Sequence, residues 1–315
     1  MANAAFCRNV TGRHLVAAAS HRKAVAAIRA RLAEFRRAES LDGVVVLNLA
    51  STEAQPDAAA PVFASPEAFE RGLDAGDPAI NPAVLYACAA ILEGAPYANF
   101  TPSVAADVPA LTLLAERRGV PVAGKDGKTG QTFVKTVIAP ALRDRALHVE
   151  GWYSNNILGN RDGLALKDKD ALASKLGTKG SVLDSILGYP VEDHVVTINY
   201  YRPRGDNKEA WDTIDLVGFL GQTMQLKLNF LCRDSILAAP LAIEIARLMD
   251  LAGRRGAGGV QDQLGVFFKL PMVARADEQP EHAFPEQQQR LMAWLAAAAA
   301  EAPRAEPAAA GAAVA

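Results

Sequence analysis

No charge of one sign dominates this sequence: 33 Lys and Arg stand against 35 Asp and Glu, a formal net charge of -2. Nucleic-acid and anionic-membrane surfaces are met with basic stripes, so that balance argues against both as partners. A small anionic substrate stays open, because a few local lysines can hold one phosphate. Cysteine is scarce as well. Cys7, Cys88 and Cys232 have no CxxC spacing. That excludes a disulfide frame or a zinc site and reads as small buried hydrophobes of a reducing compartment. No apolar run reaches the roughly 18–20 residues of a membrane span. The first residues lack the apolar core of a secretory signal, so the sequon Asn9-Val10-Thr11 is incidental and the expected setting is cytoplasmic. What the chain has is apolar residues, 50% of its 315, enough for one large core or two moderate ones.

Helical spacing of Val25, Ile28, Leu32 and Phe35 predicts a helix over His21 to Arg37. Gly43 then opens Val44-Val45-Val46-Leu47, a buried-strand run. Ser65-Pro66-Glu67 and Asn81-Pro82 each place a capping side chain before a proline, which marks a helix start. A helix over about Val108 to Arg118, a strand at Val120-Pro121-Val122-Ala123 and a helix from Thr132 to Leu142 continue the alternation. Strands alternating with helices imply a mainly parallel sheet with helices on its faces. After about residue 190 the period changes to two: Val196, Ile198 and Tyr200, then Met224, Leu226, Leu228 and Phe230, alternate with polar neighbours. Each is a strand with one packed and one polar face, and together they predict an antiparallel sheet embedded in the α/β chain. An apolar helix returns from Ser235 to Leu251. Trp294 is expected to close the last helix, with an alanine-rich disordered tail over 293–315.

Gly124-Lys125-Asp126-Gly127-Lys128-Thr129-Gly130-Gln131-Thr132 lies between a strand and a helix. A glycine-rich turn there can offer backbone N–H groups and a helix amino terminus to an anion, though an ordinary strand-to-helix turn has the same composition. Gly127-Lys128-Thr129 imitates a P-loop fragment, but Val122 stands where the P-loop needs glycine, which excludes nucleotide triphosphate binding. Further blocks are Ile91 to Asn99, Gly151 to Gly163 (GWYSNNILGNRDG), Tyr200 to Lys208 (YYRPRGDNK) and Asn229 to Pro240 (NFLCRDSILAAP). In this order and spacing, with GKDGKTGQT, they resemble the inositol-1-phosphate synthase family, its bacterial branch above all, over about Ala5 to Met272.

The resemblance implies an α/β fold: an incomplete Rossmann-like NAD domain over 1–132, an inserted α+β catalytic and tetramerisation domain over 133–233 containing the antiparallel sheet, and a return to the first domain over 234–292. It implies an enzyme, an inositol-3-phosphate synthase that cyclises glucose 6-phosphate with bound NAD: oxidation at C5, enolisation, aldol closure and reduction, with no net redox change. Such chemistry needs fixed cations for a phosphate and a developing oxyanion, and crowded lysines can lower one another's pKa. By motif position the active-site lysines fall on Lys128, Lys175, Lys179, Lys208 and Lys269. Lys175 and Lys269 are assigned proton transfer around C5 and O5, and Lys179 and Lys208 the phosphate or oxyanion. Asn160, Asp162 and Asp206 fall on substrate-binding positions. Ser51, Thr52, Gly124, Asp126, Thr129, Asp234 and Ser235 fall on the cofactor cleft. Asp234-Ser235 also reads as a helix cap. Two or three carboxylates could hold a magnesium-like ion, while zinc lacks a His/Cys cluster. Histidines such as His148 and His194 have no partner spacing and read as structural. The implied assembly is a homotetramer.

One departure stands out. The family carries a strand, glycine-rich turn and helix near its amino terminus, and upstream of Val44 only the isolated Gly12 occurs between Met1 and Ser40. The pyrophosphate loop is therefore expected to be missing. Three readings follow: part of a longer protein, a non-catalytic relative keeping the oligomer surface and sugar-phosphate pocket, or a shortened enzyme with weakened NAD affinity.

Overall fold

The computed structural model describes residues 18–160, 180–275 and 277–301. The chain runs α1 (His21–Ala38), β1 (Val46–Asn48), α2 (Pro66–Ala75), α3 (Pro82–Leu92), β2 (Tyr97–Asn99), α4 (Pro109–Arg118) and β3 (Pro121–Gly124). Three of these helix starts have a local cause in a side-chain cap. The side chains of Ser20, Ser65 and Asn81 accept from the N–H groups of Lys23, Ala68 and Val84, satisfying donors that a helix leaves without carbonyl partners. Gly76 and Gly119 end α2 and α4 in the left-handed region, where glycine carries no Cβ penalty. β1, β2 and β3 pair in parallel.

Next come α5 (Gln131–Asp144), β4 (His148–Leu158), α6 (Gly180–Leu187), β5 (Asp193–Tyr200), β6 (Lys208–Val217) and β7 (Thr223–Cys232). The chain returns through α7 (Asp234–Arg254), β8 (Gly259–Val260) and α8 (Phe284–Glu301). β8 adds in parallel to β3, giving the first sheet the order β1-β2-β3-β8. Successive side chains of these strands enter opposite layers. Tyr97 and Val122 join the core under α1 to α4, with Phe69, Leu73 and Ile80; Ala98 and Ala123 join Ile245 and Met249 of α7 and Leu291 of α8. Burying side chains such as Phe69, Leu73 and Ile80 stabilises the fold by about 1.5–3 kcal/mol each.

The second sheet, β5-β4-β6-β7, is mixed rather than antiparallel. β4 runs antiparallel to β6 but parallel to β5. The segment between β4 and β5 crosses back through α6, and a crossover of that length returns a strand in the same direction. Alternation in Val196, Ile198 and Tyr200 reports one packed face, and a face says nothing of direction. Trp152, Ile214 and Leu216 pack that inner face against Ala139 and Leu142 of α5 and Leu183 and Ile186 of α6. α8 also runs past Trp294 to Glu301, because its alanines are the best helix formers.

Candidate active site

The turn from Gly124 to Gly130 joins β3 of the first sheet to α5. At Gly127 any Cβ would collide with the Phe100 ring, so glycine is required. Asp126 adopts φ +62°, a region that Asp tolerates better than most residues. The N–H groups of Lys125, Asp126, Gly127 and Lys128 donate to the carbonyls of Leu270, Thr101, Phe100 and Phe267. They are spent inside the protein, so this stretch is no backbone cradle for an anion. α5 starts at Gly130 without a side-chain cap, and beside that start the charges collect. Lys208 Nζ lies 2.9 Å from Asp234 Oδ2, Thr129 Oγ1 donates to Asp234 Oδ1 at 3.3 Å, and Lys269 Nζ lies 2.8 Å from Asp126 Oδ1. A Cβ on Gly130 would sit 3.6 Å from Asp234 Oδ1 and 3.7 Å from Lys208 Nζ. Burial alone would push the Asp234 carboxyl up; Lys208, Lys269 and the Thr129 hydroxyl outweigh it and hold the carboxyl below its usual range.

Secondary structure explains the convergence. Lys208 opens β6 directly beside Leu158, which closes β4, and Cys232, which closes β7. Asp234 follows as the first residue of α7. Arg233, not Asp234, is the N-cap of that helix and makes no side-chain cap bond; the Asp234 carboxylate serves the lysine instead.

Lys128 turns the other way. Its Nζ donates to Gln287 of α8 at 2.5 Å and lies 5.8 Å from the Phe284 ring centroid. Burial pushes its ammonium down to about 7, against the pull of Glu281. The expected route to such a value was crowding by other lysines; the cause here is desolvation. Burial and then Lys128 push the neighbouring His282 down to about 4.

At the start of α5 and one turn into it, Gln131 and Lys135 face the inner side of the second sheet. Gln131 Nε2 donates to Asp212 Oδ1 and Oδ2 at 3.2 and 3.1 Å. Asp212 also accepts from Trp152 Nε1 at 2.7 Å and Ser154 Oγ at 2.6 Å. Asn156 Nδ2 donates to Gln131 Oε1 at 2.7 Å. Lys135 Nζ sits 5.4 Å from the Trp152 ring centroid and 2.5 Å from His194 Nε2, and burial pushes it down to about 8, against the pull of Asp212. Sequence reasoning missed this cluster. Gln131 and Asn156 stood inside quoted motifs, Lys135 follows Gln131 by one helical turn, and Asp212 shares the inner face of β6 with Lys208.

Of the remaining expected site residues, Gly124 is buried at the carboxyl edge of the first sheet, and Ser51 and Thr52 are exposed beyond β1 on that same edge. Glu53 beside them is buried and accepts from the Ala83 N–H at the start of α3, a structural task. Asn160 follows β4, Asp206 is exposed on the turn before β6, and Ser235 is exposed in the first turn of α7. Lys175, Lys179 and Asp162 lie outside the described residues. Among the described residues no three His, Cys, Asp or Glu side chains gather into a metal site, and no helix is long and apolar enough to cross a membrane.

A parallel sheet helix-covered on both faces, its carboxyl edge beside paired lysines and carboxylates, defines a Rossmann-like α/β protein with a site suited to an anionic ligand. The family model of myo-inositol-1-phosphate synthase, an NAD-binding family, matches residues 3–296, and the chain belongs to that family. Inositol-3-phosphate synthase 1 of Bacteroides thetaiotaomicron is 43% identical over 285 residues, 88% of this chain and 66% of that protein. The Saccharomyces cerevisiae enzyme is 35% identical over 72% of this chain and 44% of its own length. The crystal structure of Caenorhabditis elegans inositol-3-phosphate synthase superposes with a TM-score of 0.87 at 29% identity, covering 94% of this chain and 61% of that one. A myo-inositol-1-phosphate synthase-related protein from Thermotoga maritima gives 0.79 at 27% identity. The chain thus spans about two thirds of the Bacteroides protein and under half of the yeast one.

Proposed function

We propose that this chain carries the sugar-phosphate half of an inositol-3-phosphate synthase, cyclising glucose 6-phosphate to inositol 3-phosphate with NAD. The observation that carries the reading is the meeting of Lys208 and Lys269, each on its own carboxylate, beside the start of α5. Lys208, at a helix amino terminus, suits the phosphate or the oxyanion of ring closure. Lys269, held by Asp126, suits proton transfer at O5, and Lys175, Lys179, Asn160, Asp162 and Asp206 complete the site in the same proposal. NAD, when bound, supplies reversible hydride acceptance at C5. The polar sheet edge fits the nicotinamide-ribose end of that cofactor: Asn48 Nδ2 donates to Asn99 Oδ1 at 3.2 Å, and Ser51, Thr52, Gly124, Asp126, Thr129, Asp234 and Ser235 would complete the cofactor site in the same proposal.

The same proposal takes 133–233 as the inserted unit and a homotetramer as the assembly. Tyr153, Val195, Trp211 and Leu231 are exposed on the outer face of the second sheet, a patch that copies of the chain would cover. Free Cys88 and Cys232 suit a cytoplasmic setting. A second reading, a relative without NAD chemistry, is favoured by one observation: the segment after β1, residues 49–65, contains no glycine, and the N–H groups of Lys125 to Lys128 in the turn after β3 are already spent.

The test is formation of inositol phosphate from glucose 6-phosphate with NAD, followed by phosphorus NMR, beside NAD titration by calorimetry. Product with micromolar NAD affinity supports the enzyme. Sugar-phosphate binding without NAD binding supports the second reading.

A further inference from the structure

Asp212 is buried at 4% exposure on the inner face of β6, and its two carboxylate oxygens accept from Gln131 Nε2, Trp152 Nε1 and Ser154 Oγ. Gln131 must therefore turn its NH2 toward Asp212, as observed. That orientation leaves the Gln131 carbonyl facing Asn156, which must answer with its own NH2. The last free group in the chain of bonds is the Asn156 carbonyl oxygen. It is buried in a residue 1% exposed and has no hydrogen-bond partner among the described residues. Asn156 lies directly opposite Ala210, between Asp212 and Lys208 on the neighbouring strand, so this acceptor stands next to the lysine–carboxylate cluster. Buried polar atoms are rarely left unpaired, and the missing partner is a donor.

We propose that Asp212 is a positioning residue that sets the polarity of a two-amide relay, Gln131 then Asn156, so that the site meets a ligand hydroxyl or ammonium with an acceptor. Asp212 touches no ligand itself. The inference rests on the sugar-phosphate reading for its ligand, but the relay is a property of the fold alone.

The chemistry dictates a reciprocal exchange. Asp212→Asn can donate, which lets Gln131 flip, turns Asn156 with it and points an NH2 where the acceptor stood. Asn156→Asp alone puts an acceptor at both ends of one amide. The double variant Asp212→Asn with Asn156→Asp satisfies every group again with Gln131 reversed, and the second oxygen of the carboxylate introduced on β4 restores the acceptor. Calorimetry should show each single variant binding glucose 6-phosphate about tenfold more weakly and the double variant within about threefold of the parent. Thermal melts of the same four proteins read the relay without ligand: Asn156→Asp, which sets acceptor against acceptor, melts lower, and adding Asp212→Asn recovers it. Additive losses in the double variant, in affinity or in melting, would overturn the relay, as would single variants indistinguishable from the parent. If the parent fails to bind glucose 6-phosphate, the functional reading falls, and the melting cycle still decides the relay.

Discussion

Two pairs of lysines flank the turn from Gly124 to Gly130 and the helix that follows it. On the cleft side, Lys208 and Lys269 rest on Asp234 and Asp126 and keep part of their surface open, 18% and 22% of the side chain. On the core side, Lys128 and Lys135 are 3% and 4% exposed and rest on a neutral amide and an imidazole. Burial without a carboxylate partner makes an ammonium titrate near neutrality, as it does for Lys128 and Lys135. The difference separates the charge that can act on a ligand from the charge that the fold must carry.

The largest effect should come from deleting cleft charge. Lys208→Ala or Lys269→Ala should each lower kcat/KM for glucose 6-phosphate by about 10²–10³-fold, the cost of losing one preorganised electrostatic group. Because these pairs are partly solvated, the melting temperature should move little. Lys128→Met should cost less than about tenfold, since its ammonium points at α8 and not into the cleft. A Lys128 variant as inactive as the Lys208 variant would break the comparison.

A smaller effect, of the opposite kind, belongs to the core side. Lys128 falls from 10.5 to about 7 and Lys135 from 10.5 to about 8, both through burial. Below about pH 7 folded and unfolded chains both hold these protons, and stability does not depend on them. Above it the folded chain has released protons that the unfolded chain keeps up to about 10.5, so stability rises with pH across that window. His282, lowered from 6.5 to about 4, acts in the same direction lower down: stability is lost as pH falls from about 6.5 to 4. Chemical denaturation between pH 6 and 10 should show a rise of a few kcal/mol from the two lysines. Lys128→Met and Lys135→Met should each flatten it, and a slope unchanged in both variants would refute the burial argument.

Much of this architecture was legible because its causes are local. Ser65-Pro66 and Asn81-Pro82 announce α2 and α3 through a cap and a proline, and period-two alternation announces β5 and β7. The site was legible in a different way. Lys208 and Asp234 meet only because β6 and β7 pair end to end, and no local rule links those positions; the motif resemblance named both. What stayed hidden was orientation. Asp126, Lys128 and Thr129 share one glycine-rich turn, yet their side chains leave in two directions, set by the packing of the turn against Phe100 and the segment from Phe267 to Met272. Lys135 and Asp212 carried no motif at all, because a buried lysine in a sequence is indistinguishable from a solvated one. The direction of β4 against β5 was hidden for a related reason: pairing direction is decided by the length of the crossover and not by the residues of the strand.

The smallest expected effect tests what divides the two sides. Gly127 passes so close to the Phe100 ring that an added methyl would overlap it. Gly127→Ala should therefore cost about 1–3 kcal/mol as an overpacked core site does, or about 2–4 °C in melting per kcal/mol for a chain of this size. The shift should also reach chemistry. The Asp126 and Lys128 N–H groups hang on the carbonyls of Thr101 and Phe267, so a displaced turn moves the Asp126 carboxylate away from Lys269 on one side and the Lys128 ammonium away from Gln287 on the other. Adding Phe100→Leu to Gly127→Ala makes room for the methyl and should return most of the melting temperature, with turnover recovering alongside it. Recovery of stability without activity would mean that the position of the turn, and not its packing, separates cleft charge from core charge.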